Sequence, residues 1–280
     1  MLKKQSRLFR AYLRKVALGK SGKGVLAETP QGLFIVDPSD FSVSRELLNC
    51  GTYDPGEIRV FQSILNPRST LIIVGCHIGS VLVPLSKKAG RVIGFEPDPI
   101  NFHFLELNLL LNRCSNAEIH QKAVGEGPKK VFLDHNPLNT GNTQIQTIRP
   151  GNQSPVEMIS LDSFPDLDSA DLVIMDIEGY EPPAIRGGRK LLSSTPFFFV
   201  EYCPKQLLEM GETAESFVDV IGSLYSDMYT IRHGVELYEN YSWTDFLLKQ
   251  KNRPGLLLNL LFTNQRRLPG PKSLENPRRD

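Results

Sequence analysis

Three short runs of this 280-residue chain carry residue types able to do chemistry. The first, Val74-Gly75-Cys76-His77-Ile78-Gly79, follows an apolar stretch and precedes an amphipathic one. Glycines at both ends of such a strand-to-helix turn let backbone approach a ligand with no Cβ in the way. The spacing is not the G-x-G-x-x-G of dinucleotide folds, which aims a helix start at a pyrophosphate. The second run, Glu96-Pro97-Asp98-Pro99, ends the next apolar segment and sets a carboxylate 21 residues beyond Gly75. A carboxylate there accepts hydrogen bonds from the two hydroxyls of an unphosphorylated ribose. Pro97 stops the strand that delivers it, since proline cannot continue a ladder. Together the glycine turn and the acid predict a nucleoside site, for NAD or for an adenosyl cofactor.

The third run is Met175-Asp176-Ile177-Glu178-Gly179-Tyr180-Glu181. If strand geometry persists through Glu178, then Asp176 and Glu178 face the same way, because strand side chains alternate. Two like charges at a strand mouth are costly unless a cation or a proton is shared. A sulfonium cofactor, or an acceptor hydroxyl awaiting deprotonation, supplies a reason to hold them there. The competing explanation is a helix start, where acids meet the dipole favourably.

Such runs need a scaffold that brings strand ends together. Apolar strands are predicted at 71–74, 91–95, 117–120, 171–177 and 197–201. They alternate with helices over 78–89 and 101–112, the second with Phe102, Leu105, Leu109 and Leu110 inward. This rhythm is that of a mostly parallel sheet with helices on both faces. Upstream, 25–28 and 33–36 read as a strand pair around a turn, followed by a helix over 57–65. Leu256 to Phe262 reads as a buried strand. The stretch 131–160 breaks the rhythm, and its end, 156–160, alternates as an edge strand does. An insertion there lies above the carboxyl ends of the strands, where ligands bind in open α/β sheets. The expected units are a basic arm (1–23), an N-terminal extension (24–66), a catalytic domain (67–264) and a poorly ordered tail (265–280).

Charge is uneven. Residues 1–23 carry eight Lys or Arg and no acid, so the arm is +8 and the remainder −7. Leu2, Leu8, Phe9, Tyr12, Leu13 and Val16 recur at helical spacing within it. A basic amphipathic helix follows. Its stripe is expected to pack on the domain; the sharper alternative is contact with an anionic membrane. No secretory apolar region is present, and four cysteines and five histidines are scattered without metal-ligand spacing. A reducing cytoplasm, no structural metal and no nucleic-acid partner are therefore expected.

Taken in order, the three runs with 156–162 and Phe199-Val200-Glu201 resemble the FkbM-type methyltransferases over about residues 50–203. The D-x-E-G-x-E element is the most specific part. The resemblance implies a class I, Rossmann-like α/β fold, with a small N-terminal β/helical extension added by this chain. It also implies S-adenosyl-L-methionine as cofactor and O-methylation of a hydroxyl on a small-molecule or glycan acceptor. By the same resemblance, Gly75 and Gly79 line the cofactor's amino-acid end, Glu96 with Pro97 takes the ribose, and Ala123 lies near the adenine. Asp176 and Glu178 face the reacting end. The general base is then Asp176 or Glu178, with His135 from the inserted loop as the lesser alternative. Two departures stand out. Ile73 replaces an acid that helps organise the cofactor's amino-acid end, and Cys76-His77 replaces Ala-Asn, leaving His77 as a substitute polar contact. Two rival readings are a non-catalytic adenosyl-binding protein, prompted by Ile73, and an NAD-dependent oxidoreductase, since Glu96 suits either ribose.

Overall fold

The computed structural model describes residues 2–19, 21–135, 138–146, 154–231, 235–239, 241–253 and 255–265. The chain opens with α1 (Leu2–Leu18), the hairpin β1 (Val25–Thr29) and β2 (Gly32–Val36), then α2 (Val43–Cys50) and α3 (Pro55–Ile64). The alternating part follows: β3 (Thr70–Val74), α4 (Leu82–Ser86), β4 (Arg91–Phe95), α5 (Pro99–Leu111) and β5 (Ala117–His120). An inserted portion holds β6 (Ala123–Val124), β7 (Lys129–Asp134), β8 (Gln144–Gln146) and β9 (Val156–Ile159). The chain then runs through β10 (Leu172–Met175), α6 (Glu181–Gly187), α7 (Arg189–Ser194), β11 (Phe197–Tyr202), α8 (Pro204–Glu209) and α9 (Ala214–Gly222). It closes with β12 (Asp227–Ile231), β13 (Val235–Glu239), α10 (Tyr241–Gln250) and β14 (Leu258–Thr263).

The main sheet has the order β13-β12-β14-β11-β10-β3-β4-β5. Strands β5, β4, β3, β10 and β11 are mutually parallel, whereas β14 runs antiparallel to both β11 and β12. This is the mostly parallel α/β sheet, with helices on both faces, that the alternating sequence pattern predicts. The near-continuous apolar sequences of β3, β10 and β11 suit strands buried on both faces. Alternation then sorts their side chains. Ile72, Val74, Val173, Met175, Phe198 and Val200 join a core with α6, α7, α9 and α10. Leu71, Ile73, Leu172, Ile174, Phe197 and Phe199 join a second core with α2, α3, α4, α5 and β2. The predicted N-terminal extension thus contributes to a layer covering one face of the sheet.

Four expectations need correction. The helix predicted over 78–89 is reduced to α4, because His77 (φ 49°) and Gly79 (φ 88°) are left-handed and keep the preceding residues in turns. In α5, Leu110 points to solvent. The inward places go instead to Asn108 and Asn112. Asn108 accepts from the Ile35 amide and donates to the Ile35 carbonyl. Asn112 does the same for Leu33. These two amides pair with the edge of β2 as a neighbouring strand would, satisfying backbone groups that burial otherwise leaves costly. The strand at 156–159 belongs not to the edge of the main sheet but to a separate sheet of order β6-β9-β7-β8. Finally, the described part of the apolar stripe of α1 does not pack on the domain, the side chains of Leu2 and Leu8 lying outside the described residues. Phe9, Tyr12, Leu13 and Val16 are exposed. The expected tail lies almost wholly outside the described residues, as do Asn136, Pro137 and 147–153 of the inserted stretch.

Candidate active site

At the carboxyl ends of β3, β4, β10 and β11 lies a cavity of about 360 Å³, within the range of small-molecule sites. The insertion roofs it through Leu133, Asn139, Gly141, Thr143 and Ile145.

One half is built by backbone. Gly75 and Cys76 turn out of β3 and donate their amides to the Phe95 carbonyl, at 2.9 and 3.1 Å. Gly75 has φ 91°, and a Cβ there would stand 1.9 Å from the Asp176 carbonyl oxygen. Only glycine fits, because the turns after β3 and β10 are locked back to back. Glu96, buried at the end of β4, accepts from the His77 amide (2.7 Å) and the Asp98 amide (3.0 Å), one on each carboxylate oxygen. Burial nonetheless lifts it to about 7. The His77 ring is fixed by a 2.8 Å bond between Nε2 and the Thr140 hydroxyl, and its buried Nδ1 lacks a partner among the described residues. Burial holds its pKa below the ordinary value. Pro97, Phe95, Ala123 and Val124 complete this wall.

These features fit an adenosyl group. A carboxylate has about four acceptor positions, so Glu96 keeps some free beyond its two amide partners. The unpaired His77 nitrogen offers a further polar contact, and Ala123, Val124 and Phe95 supply an apolar surface for a flat ring. Gly79 stands apart from this wall. It does not line the cavity; its need for glycine comes from φ 88° and from Leu105, whose side chain would meet a Cβ at 2.8 Å.

The other half is built by acidic side chains. Asp176 and Glu178 face the cavity with Asp54 and Glu57 from the start of α3 and Glu201 from the end of β11. The route differs from the one expected. Strand geometry ends at Met175, and Glu178 reaches the cavity through a left-handed backbone, φ 58°. Asp176 is surrounded by protein yet open to the cleft, and burial raises it to about 6. Burial raises Glu57 further, to about 8, against a hydrogen bond from Asn259. Glu178 is also pushed well up by burial and by Asp176, and the Gln206 amide donates to it. Glu201 rises for the same two reasons. Like charges in one cavity cannot all ionise, so the protons of this group come off in separate steps that belong to the set as a whole. Glu181 has a different role. Its Oε1 accepts from the Ile177 and Gly179 amides and holds the turn.

His135 does not line the cavity. Its Nδ1 lies 2.7 Å from Asp98, the residue that caps α5 by accepting from Ile100 and Asn101. Asn101 in turn donates to the Thr140 carbonyl. His135 therefore clamps the inserted loop to the start of α5, too occupied to serve as the base considered from sequence. Asp54, Glu57 and Glu201 were missed as candidate site residues. Glu201 carried a readable signal, a carboxylate ending an apolar strand as Glu96 does. Asp54 and Glu57 carried none.

The sequence model of the methyltransferase FkbM domain matches residues 74–233, more than half of the chain. The 2-O-methyltransferase NoeI of Sinorhizobium fredii is 26% identical over 178 residues, covering 56% of this chain and 72% of NoeI. Among solved structures, Methyltransferase FkbM of Methylobacillus flagellatus aligns with 79% of this chain at 19% identity and a TM-score of 0.45. This chain spans 53% of that protein's length. Protein PH0793 of Pyrococcus horikoshii aligns with 87% of this chain and 73% of its own, at 16% identity and a TM-score of 0.46.

Proposed function

The chain belongs to the FkbM methyltransferase family, and from that premise we propose that it O-methylates a hydroxyl of a glycan or similarly polyhydroxylated small acceptor. When bound, S-adenosylmethionine supplies a methyl group on a sulfonium, open to in-line displacement. Gly75, His77, Glu96, Pro97 and Ala123 would hold it, and Asp176 would border its reacting end. The chain's own work is to align the acceptor, exclude water and take up a proton.

One observation carries this reading: a cavity that joins the Glu96 wall to a set of carboxylates of staggered acidity. A general base works best with a pKa near the operating pH. Asp176, at about 6, is ionised at neutral pH while Glu57, at about 8, stays largely protonated. Groups driven apart in this way divide the roles of acid and base. Asp176 accepts the acceptor hydroxyl's proton. The protonated neighbours and Asn259 can donate hydrogen bonds to other hydroxyls, which suits a sugar. The name of the relative, a 2-O-methyltransferase, agrees with a hydroxyl acceptor.

The test is Asp176→Asn, assayed on a panel of hydroxylated acceptors with S-adenosylhomocysteine affinity followed in parallel. Turnover should fall by roughly 10²–10⁴ with affinity little changed, and native turnover should rise with pH through about 6. Native-like turnover in the variant would remove Asp176 from the base position.

A further inference from the structure

We propose that α1 is an in-plane anchor for an anionic lipid surface. The proposal is independent of the reaction assigned above.

The helix is attached to the body by the opposite face from the one a core helix uses. On the body side, Ala11 is 1% exposed. Beside it on that side, Arg14 donates through Nε to the Pro38 carbonyl and through a terminal nitrogen to the Asp40 carbonyl, both at 3.0 Å. Phe9, Tyr12, Leu13 and Val16 fall at i, i+3, i+4 and i+7, a single face of a helix. That face points away from the body, with the four side chains 62%, 64%, 47% and 58% exposed. Arg10 and Lys15 are exposed on its two flanks. Large apolar side chains exposed singly need no explanation, but a contiguous stripe of them marks an interaction surface.

Charge selects the occupant. The segment 1–23 holds eight bases and no acid, while the rest of the chain is net −7. An interfacial helix sinks its apolar face about 5–10 Å into the headgroup boundary. Each nearby Lys or Arg is then attracted to anionic lipid headgroups. Phe and Tyr are suited to that boundary. A second copy of the chain is a poorer match. Outside α1, the exposed large apolar residues among the described ones are spread over β1, α5, α8 and loops. The anchor also adjoins the cavity. Asp40, whose carbonyl receives Arg14, accepts through its carboxylate from the amides of Ser42 and Ser44. Ser42 and Val43 lie on the cavity rim. Docking α1 therefore fixes the mouth of the cavity with respect to the lipid surface.

The full chain should co-sediment with phosphatidylcholine vesicles containing phosphatidylserine and not with phosphatidylcholine alone, and salt should weaken the binding. Leu13→Glu combined with Val16→Glu should cut binding at least about tenfold at an unchanged melting temperature. Arg10→Gln with Lys15→Gln should cut it several-fold. Four results would each overturn the proposal. They are no binding by the native chain, full binding by the stripe variant, stripe-dependent dimerisation in light scattering without vesicles, and binding to RNA in place of lipid.

Discussion

The two halves of the cavity are made by different means. The Glu96 half is defined by backbone: glycine turns, strand ends, and amides of His77 and Asp98 already bonded to the carboxylate. The acidic half is defined by side chains from three separate places, the start of α3, the turn after β10 and the end of β11. Its charges repel, and among the described residues only Glu57 and Glu178 have side-chain amide partners, Asn259 and Gln206. A backbone-built site is rigid and specified locally. A site built from mutually repelling side chains is tunable by pH and specified only by the fold.

Substitutions can break or sharpen this contrast. The largest effect should come from Gly75→Ala, which drives a Cβ against the Asp176 carbonyl at a left-handed backbone position. It disrupts both halves at once, and a loss of several kcal/mol should appear as insolubility or a collapsed melting temperature. A stable, active variant would show that the two turns are not locked. Next, Glu96→Gln should weaken S-adenosylhomocysteine affinity about tenfold or more, a hydrogen bond to a charged group being worth about 1.5–3 kcal/mol. Turnover at saturating cofactor should change little, so an equal fall in both would contradict the division of labour.

A smaller effect of opposite sign is expected from Glu57→Gln. The folded-state pKa of Glu57 is raised from 4.5 to about 8, so its protonated form favours the fold, and that contribution, fully present below the unfolded value, is lost as pH rises up to the folded one. Native melting temperature should therefore drop as pH rises from about 5 to about 8 and level off above that. The glutamine variant should lose part of that drop and melt higher at the alkaline end, by about 1 kcal/mol or 2–4 °C. The smallest effect is on the loop clamp. Its hydrogen bond to Asp98 raises His135, while burial of Asp98 is more than offset by the bonds it receives. The clamp thus holds between the lowered pKa of Asp98 and the raised pKa of His135. It is lost as pH falls through the first or rises through the second. His135→Gln should speed amide exchange around Thr140 and Thr143 by a few-fold and remove its alkaline dependence, leaving the affinity for S-adenosylhomocysteine nearly intact.

The same contrast explains what could be read in the sequence. Strands β3, β4, β5 and β11 were legible because a parallel strand is a short apolar run between turn residues, and the Gly75 and Glu96 positions came with them. Glu178 was found for the wrong geometric reason, since its left-handed backbone, not strand alternation, carries it inward. The helix before Ala89 was overextended because apolar periodicity continues through residues whose backbone is left-handed. Leu110 was misplaced because Asn108, buried, and Asn112, half-buried, turn inward for their amides, which no hydrophobic pattern reports. Asp54 and Glu57 stayed hidden because they are ordinary helix-start acids, favourable there on dipole grounds alone. Only tertiary packing turns them toward Asp176.

The position of β14 has a consequence for how the molecule is made. It is the last strand among the described residues, yet it slots between β11 and β12. During synthesis, β11 must therefore wait with one margin bare while more than fifty further residues emerge. Such a margin invites pairing with a neighbouring nascent chain. Leu257 and Asn259, which reach the cavity beside Glu57, arrive only with that final insertion. The ribosome thus delivers the last pieces of the reaction chamber together with the strand that seals the sheet.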